Sequence, residues 1–293
     1  MIIKLLNILK DYSISLPELN LSEELIYRKP SHIGFDIENN IIKGIKIYFK
    51  ANGEVIQNKY GIITENYEES FSISEALLGT EKNFRWICRP PFEEPPYSNH
   101  KEVAFRLLSE IGCTYLYDDV LSVADIIQSK TNSKRYPLVG YGAVQSNKQH
   151  PCSTDIKLYY TFWQAQEWNS MYASNIDDIS FSALSALKEK MFNQTFRDQV
   201  IGITQTAFIY DNLISMYAVN ISINEISEKL YFVTDDNVWL DSLSSLHKFV
   251  FNSELSPKIS NLFKDITKQG FRYEEIAYSV KQGRSNLMAY FMI

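Results

Sequence analysis

Two short strand-like runs carry one signature, a lysine and a tyrosine at alternate positions: Lys46-Ile47-Tyr48 and Lys157-Leu158-Tyr159. Alternate residues of a strand share a face. Each run therefore sets an ammonium group beside a phenol ring. The ammonium answers negative charge, and the ring offers a π face to a cation. Just upstream of the first run, His32, Gly34, Asp36 and Glu38 alternate with Ile33, Phe35 and Ile37. A sheet with one face in water normally carries short polar side chains there. A face of cations and phenols fits a closed barrel instead. Its lumen would hold a ligand with an anionic head and a greasy, cation-prone tail. Closing the sheet also removes its edges.

The elements that would position these residues come in pairs. Residues 32–38 and 44–50 read as a hairpin through Asn39-Asn40, with Asn52-Gly53 as the next turn signal. Residues 70–78 read as a helix opened by a Ser cap. Residues 84–89 read as a strand, and 100–130 carry helical periodicity. Strands are expected at 136–145 and 155–162, with a polar loop between them. Helices are expected near 163–173 and 179–193, and a hairpin from 201–210 and 213–221. Residues 237–252 and 256–268 read as helices, with Pro257 in the first turn of the second. A last hairpin runs from 271–280 to 286–293 through Lys281-Gln282-Gly283-Arg284. No linker rich in Pro, Gly or Ser divides the chain, so a single domain over 1–293 is expected.

Composition narrows the function. The 293 residues hold 29 Lys plus Arg against 35 Asp plus Glu, a net charge of -6. That balance argues against a nucleic-acid binder. Cys88, Cys113 and Cys152 have no metal-ligand or CxxC spacing. The apolar start is broken by Lys4 and Asn7 and reads as an amphipathic helix, so a cytoplasmic chain with no membrane span is expected. No Gly-rich phosphate loop, GxSxG elbow or HExxH occurs. The pairs Asp118-Asp119, Asp177-Asp178 and Asp235-Asp236 lack the further Asp of the metal-binding motif of trans-prenyl synthases, and they suit turns or helix starts. Aromatic residues reach 14%, and the 19 Tyr outnumber the 11 Gly.

Helix-helix-strand-strand units with Lys-x-Tyr in the strands resemble the ABBA aromatic prenyltransferases. Residues 31–53, 155–162 and 273–293 look most like the cyanobactin peptide prenyltransferases. The resemblance implies an α+β fold, a ten-stranded antiparallel β-barrel of repeated ααββ units ringed by helices. It also implies transfer of an isoprenyl group from a prenyl diphosphate to a peptide side chain, with Mg2+ bound beside the diphosphate and a monomeric enzyme. The family places a general base at the position of His32, where Asp36 and Glu38 share the face. Lys46, Arg85, Lys157 and Lys281 are the candidates for the diphosphate, and Tyr48, Tyr159, Tyr217 and Tyr290 for shielding the prenyl cation.

The family also reads donor length just past the second strand, where a small residue admits ten carbons. That position is Ala51, which favours geranyl over dimethylallyl, with Trp239 and Tyr273 as further pocket candidates. The acceptor stays open between Tyr, Trp and His rings and an Arg guanidinium, the last suited to Asp36, Glu38, Glu274 and Glu275. The alternatives are a small-molecule aromatic prenyltransferase and a non-catalytic barrel that binds a hydrophobic ligand. The inward cations distinguish the last, because a neutral ligand has no need of them.

Overall fold

A computed structural model describes residues 2–12, 14, 30–50, 56–57, 63–64, 66–74, 84–89, 96–131, 136–147, 150–162, 176–206, 208, 212–281 and 283–292. The chain opens with helix α1 (Ile2–Asp11) and hairpin β1 (His32–Glu38) and β2 (Ile41–Lys50). A two-residue ladder of β3 (Ile56–Gln57) and β4 (Ile63–Thr64) precedes β5 (Asn66–Ser74) and β6 (Phe84–Arg89). Three more units follow, each two helices and then two strands. They are α2 (Ser98–Glu110), α3 (Tyr117–Thr131), β7 (Leu138–Asn147) and β8 (His150–Thr161); then α4 (Ile176–Leu187), α5 (Gln194–Thr204), β9 (Leu213–Ser222) and β10 (Ile226–Val233); then α6 (Trp239–Phe251), α7 (Pro257–Thr267), β11 (Arg272–Lys281) and β12 (Arg284–Met292). Among the described residues no helix is long and apolar enough to cross a membrane.

The mixture of helices and antiparallel sheet agrees with the expected class. Among the described residues the longer strands pair antiparallel in the order β1-β12-β11-β10-β9-β8-β7-β6-β5-β2, and β2 returns to β1, so the sheet is closed. The first hairpin turns through Asn39 (φ 44) and Asn40 (φ 66), both left-handed, as a two-residue hairpin requires. Asn40 also ties that turn to the α6–α7 connection. Its Oδ1 accepts from the Ser256 amide at 2.6 Å, and its Nδ2 donates to the Glu254 carbonyl at 2.9 Å. Ser256 caps α7 in turn and accepts from the Lys258 amide at 3.2 Å.

The apolar face of the sheet meets the helices. Ile33, Phe35 and Ile37 are fully buried, and Phe35 packs on Phe263 of α7 at 5.3 Å. Phe196 of α5 stacks on Tyr278 at 5.6 Å. With that face turned outward, the alternate residues line the inside.

Three expected elements differ. Residues 66–74 form a strand where a helix was expected from 70. Tyr67, Phe71 and Ile73 alternate with serines and Glu68, and β2 and β6 flank the segment on both sides. The expected strand at 201–210 overlaps the end of helix α5, so β9 pairs forward with β10. The expected loop between β7 and β8 is mostly strand, reaching Asn147 and resuming at His150.

Strand β10 escaped the sequence reading because Glu228 interrupts its apolar face. That carboxylate is 1% exposed. It accepts the Phe192 and Asn193 amides at 3.1 and 2.7 Å and the Tyr217 hydroxyl, so it anchors the start of α5 on the sheet. Burial raises the Glu228 carboxyl above its ordinary 4.5, against the pull of its donors. Such a group stabilises the fold fully below the ordinary value, and the contribution fades as pH climbs through the raised one. By urea unfolding, the stability of wild type minus that of Glu228→Gln is therefore expected to decline from pH 4.5 upward. A difference that grows over that range would contradict the assignment.

Candidate functional site

The register of the strands carries the inner residues into rows around the barrel. His32 faces Tyr48, and Gly34 faces both Lys46 and Tyr290. Tyr159 faces Ala218, which faces Lys229. Tyr231 faces Ala277, which faces Met288, which faces Asp36. These rows make a second apolar cluster, separate from the helix-facing core: Tyr159, Ala218, Tyr231, Ala277, Met288 and Tyr290, with Tyr48 and Met216 packed against it.

Ammonium groups thread through this cluster. Lys157 is 6% exposed and donates to the Tyr231 hydroxyl at 2.8 Å. Its Nζ lies 4.6 Å from the Tyr159 ring centre and 5.4 Å from that of Tyr231. Lys229 Nζ lies 5.7 Å from the Tyr231 ring centre and 3.5 Å from the Tyr290 hydroxyl, and it contacts the Met288 sulfur. Lys46 reaches Asp36 Oδ1 at 3.5 Å and Met288 Sδ at 3.9 Å. Burial drives the Tyr231 and Tyr290 phenols well above their ordinary range, so both stay protonated and able to donate. The arrangement can take an anion on its ammonium groups and cover a cationic carbon chain with rings.

Lys46, Tyr48, Asp36, Lys157, Tyr159 and Tyr290 thus come together. Lys229 and Tyr231 complete the group and were missed in the sequence. Their signal was present, since Lys229-Leu230-Tyr231 repeats the Lys-x-Tyr pattern. It went unread because β10 did.

Tyr217 does not belong. It is 1% exposed on the helix-facing side, against Tyr160 at 5.8 Å and Phe196 at 6.4 Å. The inner positions of β9 are Met216 and Ala218, one residue to either side. Trp239 is likewise an outer residue, fully buried between α7 and β12 against Phe263 and Phe291. Tyr273 stacks on it at 4.5 Å and lines an outer cleft of about 270 Å³ with Asp236, Asp241 and Lys264. That cleft contains none of the Lys-Tyr pairs. Lys281 is exposed at the end of β11, opposite Arg284. Glu38 is half-buried beside the first turn. Arg85 stands opposite Ser70 in the row through Tyr48. Ala51 lies outside the described residues.

At the far end of β1, His32 Nε2 meets Glu274 Oε1 at 3.0 Å, and Nδ1 meets the Ser31 hydroxyl at 2.9 Å. The Tyr48 ring stands edge-on at 6.3 Å. Next along β11, Glu275 accepts the Ser215 hydroxyl at 2.8 Å. Among the described residues no three His, Cys, Asp or Glu side chains converge to hold a metal ion, and Asp36 is engaged by Lys46. The described residues therefore do not form a Mg2+ site of their own.

No family model matches the chain, and no curated protein resembles it in sequence. Solved structures share its fold. The apo form of the prenyltransferase PriB superposes with a TM-score of 0.54 at 9% identity, covering 96% of this chain and 84% of that one. The 5-dimethylallyltryptophan synthase from Streptomyces coelicolor superposes at 0.51 and 10% identity, covering 95% and 85%. Likeness of this degree establishes a common architecture.

One glycine permits the ring arrangement. A Cβ at Gly34 would stand 2.8 Å from Tyr290 Cε1, closer than carbon atoms tolerate. Gly34→Ala is expected to cost about 1–3 kcal/mol by displacing that ring. In a Tyr290→Ala background most of that cost should vanish. Additive costs in denaturant titrations of the four proteins would show that Tyr290 is not the obstacle.

Proposed function

We propose that this chain is a prenyltransferase that moves an isoprenyl group from its diphosphate to a side chain of a cyclic or linear peptide. The observation that carries the reading is the inner-face set of three ammonium groups, Lys46, Lys157 and Lys229, interleaved with the rings of Tyr159, Tyr231 and Tyr290. Ionising an allylic diphosphate breaks the C1–O bond and leaves negative charge on the departing oxygen. Ammonium groups in a water-poor space meet that charge strongly. The positive charge spreads over the allylic carbons, where phenol faces stabilise it and exclude water. The acceptor atom then bonds to C1, and the proton it sheds needs a base. His32, held by Glu274 and Ser31, and Asp36 are the candidates for that step. Any Mg2+ would be held by diphosphate oxygens, and the lysines do the neutralising the protein itself supplies.

The ten-carbon donor rests on the small Ala51. The peptide acceptor rests on the first and last hairpins. A second reading, a free aromatic amino acid as acceptor, is favoured by one neighbour's being a dimethylallyltryptophan synthase.

Mass spectrometry after incubation with geranyl diphosphate and Mg2+ separates the two. Prenylated short cyclic or linear peptides would support the first reading, and prenylated free tryptophan or tyrosine alone would move the assignment to the second. If no acceptor is modified and no diphosphate is released, the prenyltransferase reading fails. Lys157→Met removes a buried charge-assisted contact worth about 2–3 kcal/mol, so donor affinity is expected to fall about 30- to 150-fold. Unchanged affinity by calorimetry would take Lys157 out of the site. His32→Ala is expected to lower kcat about 100-fold with little effect on donor affinity. An unchanged kcat would leave Asp36 as the base.

A further inference from the structure

Strand β11 carries one residue more than its partner matches. Tyr273 faces Phe291 and Ile276 faces Ala289, so Glu274 and Glu275 together stand against Tyr290 alone. This is a β-bulge, which re-aims the side chains beside it. Tyr273 and Ile276, three residues apart, both pack on the helix-facing core, which regular alternation forbids. The bulge turns both carboxylates the other way. Glu275 reaches Ser215 of β9 at 2.8 Å, and Glu274 reaches across β12 to His32 of β1 at 3.0 Å.

The contacts of His32 fix where its protons lie. A carboxylate only accepts, so Nε2, which faces Glu274, carries the hydrogen. In the neutral ring the lone pair is then on Nδ1, 2.9 Å from the Ser31 hydroxyl. That hydroxyl also lies 3.2 Å from the Tyr48 carbonyl. It can donate to Nδ1 while the imidazole is neutral. Once Nδ1 is protonated, the hydroxyl can accept from the ring and donate to the carbonyl instead. Both charge states of His32 are thereby hydrogen-bonded. The other ionisable groups around the ring are Tyr48 of β2, edge-on at 6.3 Å, and Arg272, exposed in the same row at the start of β11.

We propose that Glu274 is the positioning residue that makes His32 a base, and that the proton of the acceptor reaches Nδ1 through the Ser31 hydroxyl. The inference rests on the prenyl-transfer reading. As the acceptor atom bonds to C1 of the prenyl group, its proton passes to Ser31 Oγ while the Ser31 proton passes to Nδ1. The serine ends neutral and the imidazole ends as a cation. Glu274 balances that charge through the Nε2 hydrogen.

The test follows the ionisation of His32 by NMR in the full chain, with histidine labelled in its ring nitrogens. The chain holds only 4 His, so the His32 signals can be identified by their loss in His32→Gln. Glu274→Gln keeps a hydrogen-bond acceptor and removes the charge. Its His32 midpoint is expected about one unit below that of wild type. Its kcat, read as diphosphate release from geranyl diphosphate with the same peptides and free amino acids, is expected to be about 10- to 100-fold lower, with the donor KM within about twofold. Glu274→Asp, which keeps the charge, should hold the midpoint near that of wild type. Ser31→Ala is expected to lower kcat about tenfold. An unmoved midpoint in Glu274→Gln, whatever its kcat, overturns the role of Glu274. An unchanged kcat in Ser31→Ala takes the hydroxyl out of the proton path. No diphosphate release by wild type, with the midpoint still shifted in Glu274→Gln, overturns the prenyltransferase reading and leaves the pairing standing.

Discussion

Ammonium groups enclosed by protein repel one another more strongly than they would in water, and each has to draw on whatever negative potential its surroundings offer. Lys157 draws on a phenol oxygen and two ring faces, Lys46 on Asp36, and Lys229 on a ring, a hydroxyl and a sulfur. A chain selected for stability alone would fill such positions with leucine. A polyanion entering among the three is stabilised by all of them at once, and its arrival relieves their mutual repulsion.

That arrangement depends on a sheet that curls. Lys46, Lys157 and Lys229 stand on β2, β8 and β10, which do not pair with one another. Curvature brings them together, and it leaves the opposite face of every strand outside, where the helices cover it. Strands β1, β2, β8 and β10 thus carry two sequences interleaved, a helix-facing one dominated by Ile, Phe and Leu and an inner one of Lys, Tyr and small residues. The small residues matter as much as the large. Gly34 lets the Tyr290 ring lie against β1, and Ala218 and Ala277 pack between the rings with little bulk.

Much of this was legible because period two survives in β1, β2, β8, β11 and β12, and because a Lys-x-Tyr pair announces an inner face wherever it occurs in a strand. Legibility failed where tertiary structure spends a polar residue on the apolar face. Glu228 does so in β10, and its cost is met by amides of a segment 35 residues away, which no local pattern encodes. Tyr217 failed for a related reason. Alternation in β9 separates Leu213, Ser215, Tyr217 and Val219 from Ile214, Met216 and Ala218, and neither set is plainly the polar one. Only the register with Lys229 shows that Ala218, and so not Tyr217, looks inward. Trp239 lies next to a strand-end tyrosine in space, yet it belongs to a helix that packs outside. Residue type alone cannot distinguish an aromatic wall of a ligand site from an aromatic wall of a helix contact.

The polarity of the lumen along its axis orders the chemistry. Lys157 is nearly inaccessible, whereas the His32 side chain, at the start of β1, is 20% exposed and paired with Glu274 at 27%. The rings of Tyr48 and Tyr290 lie between these regions, 6.3 Å apart. On the proposed reading a donor would settle first, with its head group among the lysines and its tail among the rings. The acceptor would then approach from the His32 end, bringing its departing proton toward the imidazole. Glu274 fits this sequence as a partner that holds His32 in place and balances the charge it gains on taking a proton. On that reading His32 is served by Glu274 and Ser31 and not by the lysines, which are left to the diphosphate.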